Sequence, residues 1–484
     1  MAKFLPNARN KGIKISAINI QGLSQPHLRR LVMLWRRMTV VALLAVGIAA
    51  MTGSMKATAG ENSSSVTFYK DVLPILQKNC QTCHRPGEIA PMSFMTYKET
   101  RPWAKGIKTA VVSRQMPPWF ADPNYGHFVN DRRLSDDAVK TLAAWADGGA
   151  VEGDAKDAPS PVKFVDGWSI KPDMVIEMPQ DVQLPATGTI NYKNILVKVN
   201  FPEDRWVVAA DLRPGNNQVV HHMRANVRPP DSDFMRNAVP GVAYDDGDPA
   251  MGRKDAGIDL LGKFNPGLGA QDFSLFESAK FVPKGSDIVF NMHYTATGKE
   301  TTDRSRLAIV FAKNPPRYRY YVDEGPTAGN LAIPAGDPNA EVVSEMTAQI
   351  DTQLVYMQPH MHLRGKDYEV RLIYPDGKMQ TVFRTKWDFN WQIGVDLVKP
   401  IPIPKGTRVI GIAHFDNSAN NKWNPDPTKL VFWGLQNWEE MQNCFMGYLI
   451  DPNFKDVRNI FKRSGPSLLP RSTSGPALST LVIK

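Results

Sequence analysis

Apolar residues recur at two different periods along the chain. Between residues 62 and 150 the spacing is helical. Phe68, Val72, Ile75 and Leu76 share one face, as do Val139, Leu142 and Trp145, which is the repeat of an amphipathic helix. Ser135 stands ahead of Asp136-Asp137 as an N-cap, and Gly148-Gly149 follows as a stop. From Val151 to Pro161 Asp, Ala, Ser and Pro dominate, so 151–164 reads as a linker. Beyond it the helical period fades. Trp206–Ala210, Asp287–Phe290, Tyr368–Tyr374 and Arg408–Ile412 are short β-branched and aromatic runs, separated by turns such as Pro375-Asp376-Gly377. This is the pattern of antiparallel β-sandwiches. The region is too long for one small sandwich. Two in tandem, jelly-roll-like and all-β, are predicted at 165–313 and 314–455, with the boundary at Asn314-Pro315-Pro316. Residues 456–484, with Ser, Pro and Gly from Ser464 onward, are expected to be a disordered tail.

Charge changes this picture only at the N-terminus. The 484 residues carry a net charge of +10, which in an evenly charged protein would point to an anionic partner. Nine of the basic residues lie in 1–59, which has no Asp or Glu. Without them the chain is close to neutral, and a nucleic-acid partner is not expected. Arg36-Arg37 precede an apolar run from Met38 to Ala50, and Ala57-Thr58-Ala59 offers a small-residue cleavage site. Residues 1–59 therefore read as a signal peptide, with Met33 an alternative start. The run is short for a membrane span, so a periplasmic or secreted protein with no stable span after cleavage is expected.

There are three cysteines, two of them in Cys80-Gln81-Thr82-Cys83-His84. Cys-x-x-Cys-His is the attachment signature of c-type haem: two thiols bond the vinyl groups and the adjacent His ligates iron. A structural zinc site would need another Cys or His pair nearby, and a redox dithiol would sit in a βαβ pattern. Neither is present. With helices before the motif and at the end, residues 62–150 are predicted to be a small all-α cytochrome c domain carrying covalent haem c. Met116, in Met116-Pro117-Pro118-Trp119, is the preferred second axial ligand because the prolines hold an extended loop. His127, Met92 and Met95 are rivals. Cys444 is alone, so the β-rich region has no internal disulfide.

Five of the nine histidines fall in three clusters: His221-His222, His293, and His360-Met361-His362. Residues two apart on a strand share a face, so His360 and His362 can reach one metal. His221 and His222 would point to opposite faces unless they sit at a strand end or a bulge, where His293 could join them. Imidazole suits copper, zinc, iron and nickel alike, so the histidines alone do not name the metal.

His-His, a single His, His-x-His and then Glu-Met, in that order, resemble the copper type II, ascorbate-dependent monooxygenases, the family of peptidylglycine α-hydroxylating and dopamine β-monooxygenases. The resemblance spans about residues 165–455. Similar bacterial proteins carry a cytochrome-like segment in front, with stretches like Met-Pro-Pro-Trp and Pro-His-Met-His-Leu-Arg-Gly-Lys. It implies two copper ions. His221, His222 and His293 would hold the electron-storing one. His360, His362 and Met441 would hold the oxygen-activating one, with Met446 the runner-up for the thioether. The implied activity is hydroxylation of a C–H bond of a small organic substrate with O2, using electrons from a reductant or redox protein through the haem. An electron-transfer or copper-binding protein without organic substrate is the alternative, and a zinc or iron hydrolase a more distant one. Two departures matter. The animal enzymes carry disulfides, and peptidylglycine enzymes place an Arg two residues before His-x-His, where this chain has Gln358. A neutral amide cannot form a cationic fork with a carboxylate.

Overall fold

In the computed structural model, residues 66–464 are described, apart from Ile89, 165–166, 253–258, 266–267 and Lys455. The leader and the end of the predicted tail lie outside the described residues. The helical period at the start produces a helical run, a π-turn at Phe68–Val72 leading into the helix Leu73–Asn79. Further helices occupy Tyr97–Thr100, Ala104–Val112 and Asp136–Asp147. The last begins where its cap predicts: the Ser135 hydroxyl accepts from Ala138 N. Phe68, Val72, Leu76, Leu142 and Trp145 bury themselves in a small shared core.

After residue 173 the described residues are mainly strand and turn, with short 3-10 turns at Pro249–Met251 and Val457–Asn459. In chain order the strands are β1 (Met174–Glu177), β2 (Val182–Leu184), β3 (Lys193–Val197), β4 (Arg205–Arg213), β5 (Val220–Arg228), β6 (Ala243–Asp245), β7 (Asp259–Phe264) and β8 (Gln271–Asp272). They continue as β9 (Ser278–Val282), β10 (Asp287–Tyr294), β11 (Thr301–Asp303), β12 (Arg306–Phe311), β13 (Tyr318–Asp323), β14 (Ala332–Ile333), β15 (Ala340–Ala348) and β16 (Thr352–His360). The rest are β17 (Gly365–Ile373), β18 (Met379–Lys386), β19 (Val395–Ile403), β20 (Arg408–Phe415), β21 (Val431–Phe432), β22 (Asn443–Ile450) and β23 (Phe461–Ser464). All four segments singled out as strands from the sequence lie within β4, β10, β17–turn and β20.

Two five-stranded sheets, β6-β3-β10-β5-β7 and β18-β17-β20-β15-β23, cover separate hydrophobic cores. The opposing layer is a single nine-stranded sheet, β1-β12-β4-β9-β13-β22-β16-β19 with β8 on β4. A parallel contact between β9 and β13 joins its two halves. The sandwiches are therefore fused through a common sheet, not strung in tandem. The tail also needs correction at its start. Residues 461–464 pair with β15, and Ile460 and Phe461 are buried.

The predicted all-α cytochrome domain is overturned. The protein is overwhelmingly β, and residues from Val66 onward cluster as one compact unit. Between the helices Ala104–Val112 and Asp136–Asp147 runs an irregular strap, which Pro117 and Pro118 bar from being helical. Trp119 and Ala121 of this strap are buried in the core of the second sandwich. Its backbone is laced to that sandwich by Asp122 N to Arg384 O (2.8 Å), Val129 N to Asp396 O (2.8 Å) and Val398 N to His127 O (3.0 Å). Helical periodicity at both ends concealed a middle that belongs to the β-structure. The expected linker is also folded back. Phe68 N and Tyr69 N donate to Val151 O and Glu152 O, and Gln77 Nε2 donates to Ser160 O.

Candidate metal centre

His222 and His293 are directly opposed on the antiparallel pair β5/β10, after which the register shifts so that Tyr294 faces Val220. His221 is the extra residue of that bulge. The irregularity turns consecutive imidazoles to one side, which is the condition that adjacent ligands require. His293 Nδ1 lies 3.1 Å from His222 Nε2 and 3.4 Å from His221 Nδ1. All three ligand atoms fall within 4.8 Å of one another. Tetrahedral nitrogens about 2.0–2.1 Å from an ion are about 3.3 Å apart, so the set fits one metal. Tyr192 stacks on His293 at 4.4 Å between ring centres, and its hydroxyl lies 3.2 Å from His222 Nε2.

The second pair closes β16. His360 and His362 are buried, with ring centres 5.2 Å apart. His360 Nδ1 lies 2.7 Å from Gln392 Oε1, and His362 Nδ1 lies 3.3 Å from the Glu439 carbonyl. With Nδ1 donating to these acceptors, each Nε2 is left as the ligand atom, the usual role of such orienting bonds. Burial depresses the basicity of every imidazole in both sets. His222 and His360 are pushed well below the ordinary histidine value, His293 to about 3, His362 to about 4, and His221 in the same direction. Neutral imidazole is the form a metal takes.

The strands also discriminate between the two methionines. Asn443 pairs with His360, and Met446 with Met357. Directly paired residues share a face and successive residues change it, so Met446, three residues on from Asn443, projects away from His360. It is wholly buried in the second core, within 3.2 Å of the Tyr448 hydroxyl. Met441 is half-buried, in the irregular stretch leading into β22. Ahead of it, Glu440 is fully buried and accepts backbone N–H bonds from His362 (2.8 Å), Arg364 (2.6 Å) and Met441. Burial pushes this carboxyl up to about 8, and those bonds oppose the shift. One side chain thus ties the end of the His-x-His segment to the residue before Met441.

The two sets face each other. His222 and His360 both line a cavity of about 20 Å³, room for about one water. Arg224, Lys263, Gln358, Gln392 and Phe445 are among its other lining residues. Gln358, standing where peptidylglycine enzymes carry Arg, accepts from Lys263 Nζ and Tyr356 OH and donates to Gln392 O (2.6 Å). Sequence reasoning missed Tyr192, Lys263 and Gln392, which lie far along the chain from any histidine. Glu440 did leave a signal, as the acidic neighbour of Met441.

Near the other motif, Cys83 N and His84 N both donate to Cys80 O, forming one tight turn. Both thiols are free, and burial raises their pKa, Cys80 to about 12. His84 Nδ1 lies 3.3 Å from Met92 O and the ring stacks on Phe94 at 4.3 Å. Two unpaired thiols and an imidazole oriented through Nδ1 fit covalent haem attachment. Met116 is half-buried at a turn after Ala104–Val112, and among the described residues no contact joins it to His84. Of its rivals, His127 is exposed on the strap, Met95 is half-buried, and Met92 packs beside Cys80 against the helical core. The loop after His84 rests on the chain entering β5. Asn217 Nδ2 donates to Gly87 O (3.4 Å), and Arg213 pairs with Glu88 at 3.6 Å.

No protein-family model and no curated protein matches the chain. Among solved structures it is similar to PNGF-II at 11% identity, covering 57% of this chain and 65% of that one, with a TM-score of 0.29. It is also similar to the major capsid protein P2 of bacteriophage PM2 at 10% identity, covering 58% and 98%, with a TM-score of 0.28. A structure of infectious bursal disease virus matches at 8% identity over 60% and 76%, with a TM-score of 0.17. Likenesses this distant carry no argument about this chain. Among the described residues, no helix is long and apolar enough to cross a membrane.

Proposed function

We propose that the protein is an exported copper-dependent monooxygenase that hydroxylates a C–H bond of a small organic molecule with O2. The observation that carries this reading is the pairing of two buried, uncharged histidine sets across one cavity. Two separate sets, one with a soft thioether at hand, suit a pair of one-electron metal sites. Copper, when bound, supplies the oxygen and electron chemistry. His221, His222 and His293 would hold the first ion. His360, His362 and Met441 would hold the second, in the orientation that Gln392, the Glu439 carbonyl and Glu440 impose. The burial that keeps these imidazoles neutral also excludes bulk water from the reaction.

Haem c on Cys80, Cys83 and His84 would deliver electrons one at a time. The contact of the following loop with Asn217, four residues before His221, favours the first set as acceptor. Delivery would then depend on packing, because residues 151–164 do not form a flexible tether.

The test is metal analysis of periplasmically expressed protein, with copper EPR and substrate-dependent oxygen uptake. About two copper ions per chain, a type II spectrum and uptake that responds to an added organic substrate are expected. One zinc and no copper would refute the assignment. Copper and haem that cycle without any substrate-dependent uptake would replace it with electron transfer alone.

A further inference from the structure

A larger cavity lies behind the histidine cleft and is separate from it. It encloses about 260 Å³, close to the lower end of small-ligand sites at about 300 Å³. Phe273, Leu268, Val322 and Tyr320 are among its lining residues. Val129 of the strap and Leu275 line it too, and both are exposed, at 54% and 41%. They form a rim through which a molecule can enter from solvent. Leu260 and Lys263 line both this cavity and the histidine cleft, so Lys263 stands at the partition.

The partition is a built polar end on a mixed chamber, in which Asp272, Lys280 and Asp396 stand among apolar side chains. Lys263 is 7% exposed, lies over the Tyr356 ring at 4.4 Å, and donates to the Tyr356 hydroxyl at 2.6 Å and to Gln358 Oε1. Asp396 lines the same chamber and bears on Lys263 electrostatically, while the hydrogen bonds of Lys263 go to Tyr356 and Gln358. Both hydrogen-bond partners of Lys263 are neutral, and burial pulls its pKa down to about 7 although the Asp396 carboxylate bears on it. The charged form of a lysine buried with no carboxylate hydrogen-bonded to it is costly, and an anionic or strongly accepting ligand at Lys263 would relieve that cost. From Lys263 a hydrogen-bonded chain runs through Gln358 to Gln392 and on to His360.

We propose that this chamber binds an apolar organic molecule bearing one anionic or strongly accepting group, with that group at Lys263 and the apolar body against Phe273 and Val322. Ligand would enter past Val129 and Leu275. The strap would thus contribute to the rim of a site otherwise built by the two sandwiches. Binding here requires no metal, so its failure and the failure of the monooxygenase reading are separate results.

Equilibrium dialysis of the full chain with radiolabelled octanoate and octanol tests it. Octanoate should bind once per chain, about tenfold tighter than octanol or more, as expected for a hydrogen bond to a charged group. Lys263→Met should bring octanoate down to the affinity of octanol. Val322→Trp should abolish both by filling the chamber. Leu275→Trp, at the exposed rim and away from the core, should weaken both even if Val322→Trp fails to fold. Equal binding of the two probes to the wild type, no binding of either, or unchanged binding to Leu275→Trp would overturn the proposal.

Discussion

Acidification should unfold the metal-free protein at a pH where most domains are still stable. The perturbation is simple: strip the metals with chelator and lower the pH from 7.5 to 5. In the unfolded chain each histidine takes up a proton below about 6.5. In the folded chain, burial holds His293 down to about 3 and His362 to about 4. Their neighbours make matters worse, since His221 bears on both and Arg224 on His293. Below pH 6.5 the unfolded state therefore binds more protons than the folded one, and stability falls as the pH is lowered. Each unit of pH costs about 1.4 kcal/mol per histidine that stays neutral. Between pH 6.5 and 5 that is about 2 kcal/mol for His293 and a similar amount for His362, against a total stability of about 5–15 kcal/mol. His221, His222 and His360 are shifted in the same direction and add to the loss. His414 acts oppositely. Its hydrogen bond to Asp367 raises its pKa, so its contribution is present at low pH and lost as pH rises. Urea unfolding at several pH values gives the slope directly. His293→Asn should reduce it by about one proton's worth. Metal-free protein whose stability stays level or rises between pH 6.5 and 5 would show that these imidazoles are not buried as neutral groups.

Other substitutions probe the remaining parts. Met441→Ala should remove the copper held with His360 and His362 and leave stability nearly intact. Met446→Ala should cost about 2–5 kcal/mol from its core position and leave the copper content unchanged; denaturation and metal analysis separate the two. Glu440→Gln places an amide NH2 opposite a backbone N–H in either flip, so metal titration should show weaker binding at His360/His362 and unchanged binding at the other set. The wild type should show a c-type spectrum that survives acid-acetone extraction, and replacing Cys80 and Cys83 by Ala should abolish it. Trp119→Ala should cost about 3–5 kcal/mol, read by denaturation. Trp119→Phe should cost much less, because the indole N–H is buried without a partner.

Local features were legible and non-local ones were not. The Ser135 cap, the strand from Tyr368 and the Gly377 turn depend on a few adjacent residues, and the structure has each of them. The requirement for a bulge at His221-His222 followed from alternation along a strand, and β5 has one there. The strap was misjudged because nothing local marks Trp119 as a core residue of a sandwich whose strands lie more than two hundred residues later. The tail erred for the same reason: β23 exists only because β15 offers an edge. Lys263 and Gln392 escaped notice because their roles arise from sheets brought together in space. The choice between Met441 and Met446 needed the pairing of β22 with β16.

The common nine-stranded sheet has a mechanical consequence. Two sandwiches joined by a peptide linker can swing, and the gap between their faces then varies with every collision. Here the histidines of the first sandwich and those of the second are carried on bodies welded by continuous backbone hydrogen bonds, from β4 through β9 and β13 to β22 and β16. Widening the gap would mean breaking a ladder, not bending a hinge. The span between the two histidine sets is thereby set when the chain folds, and it should be nearly the same in every molecule of the population.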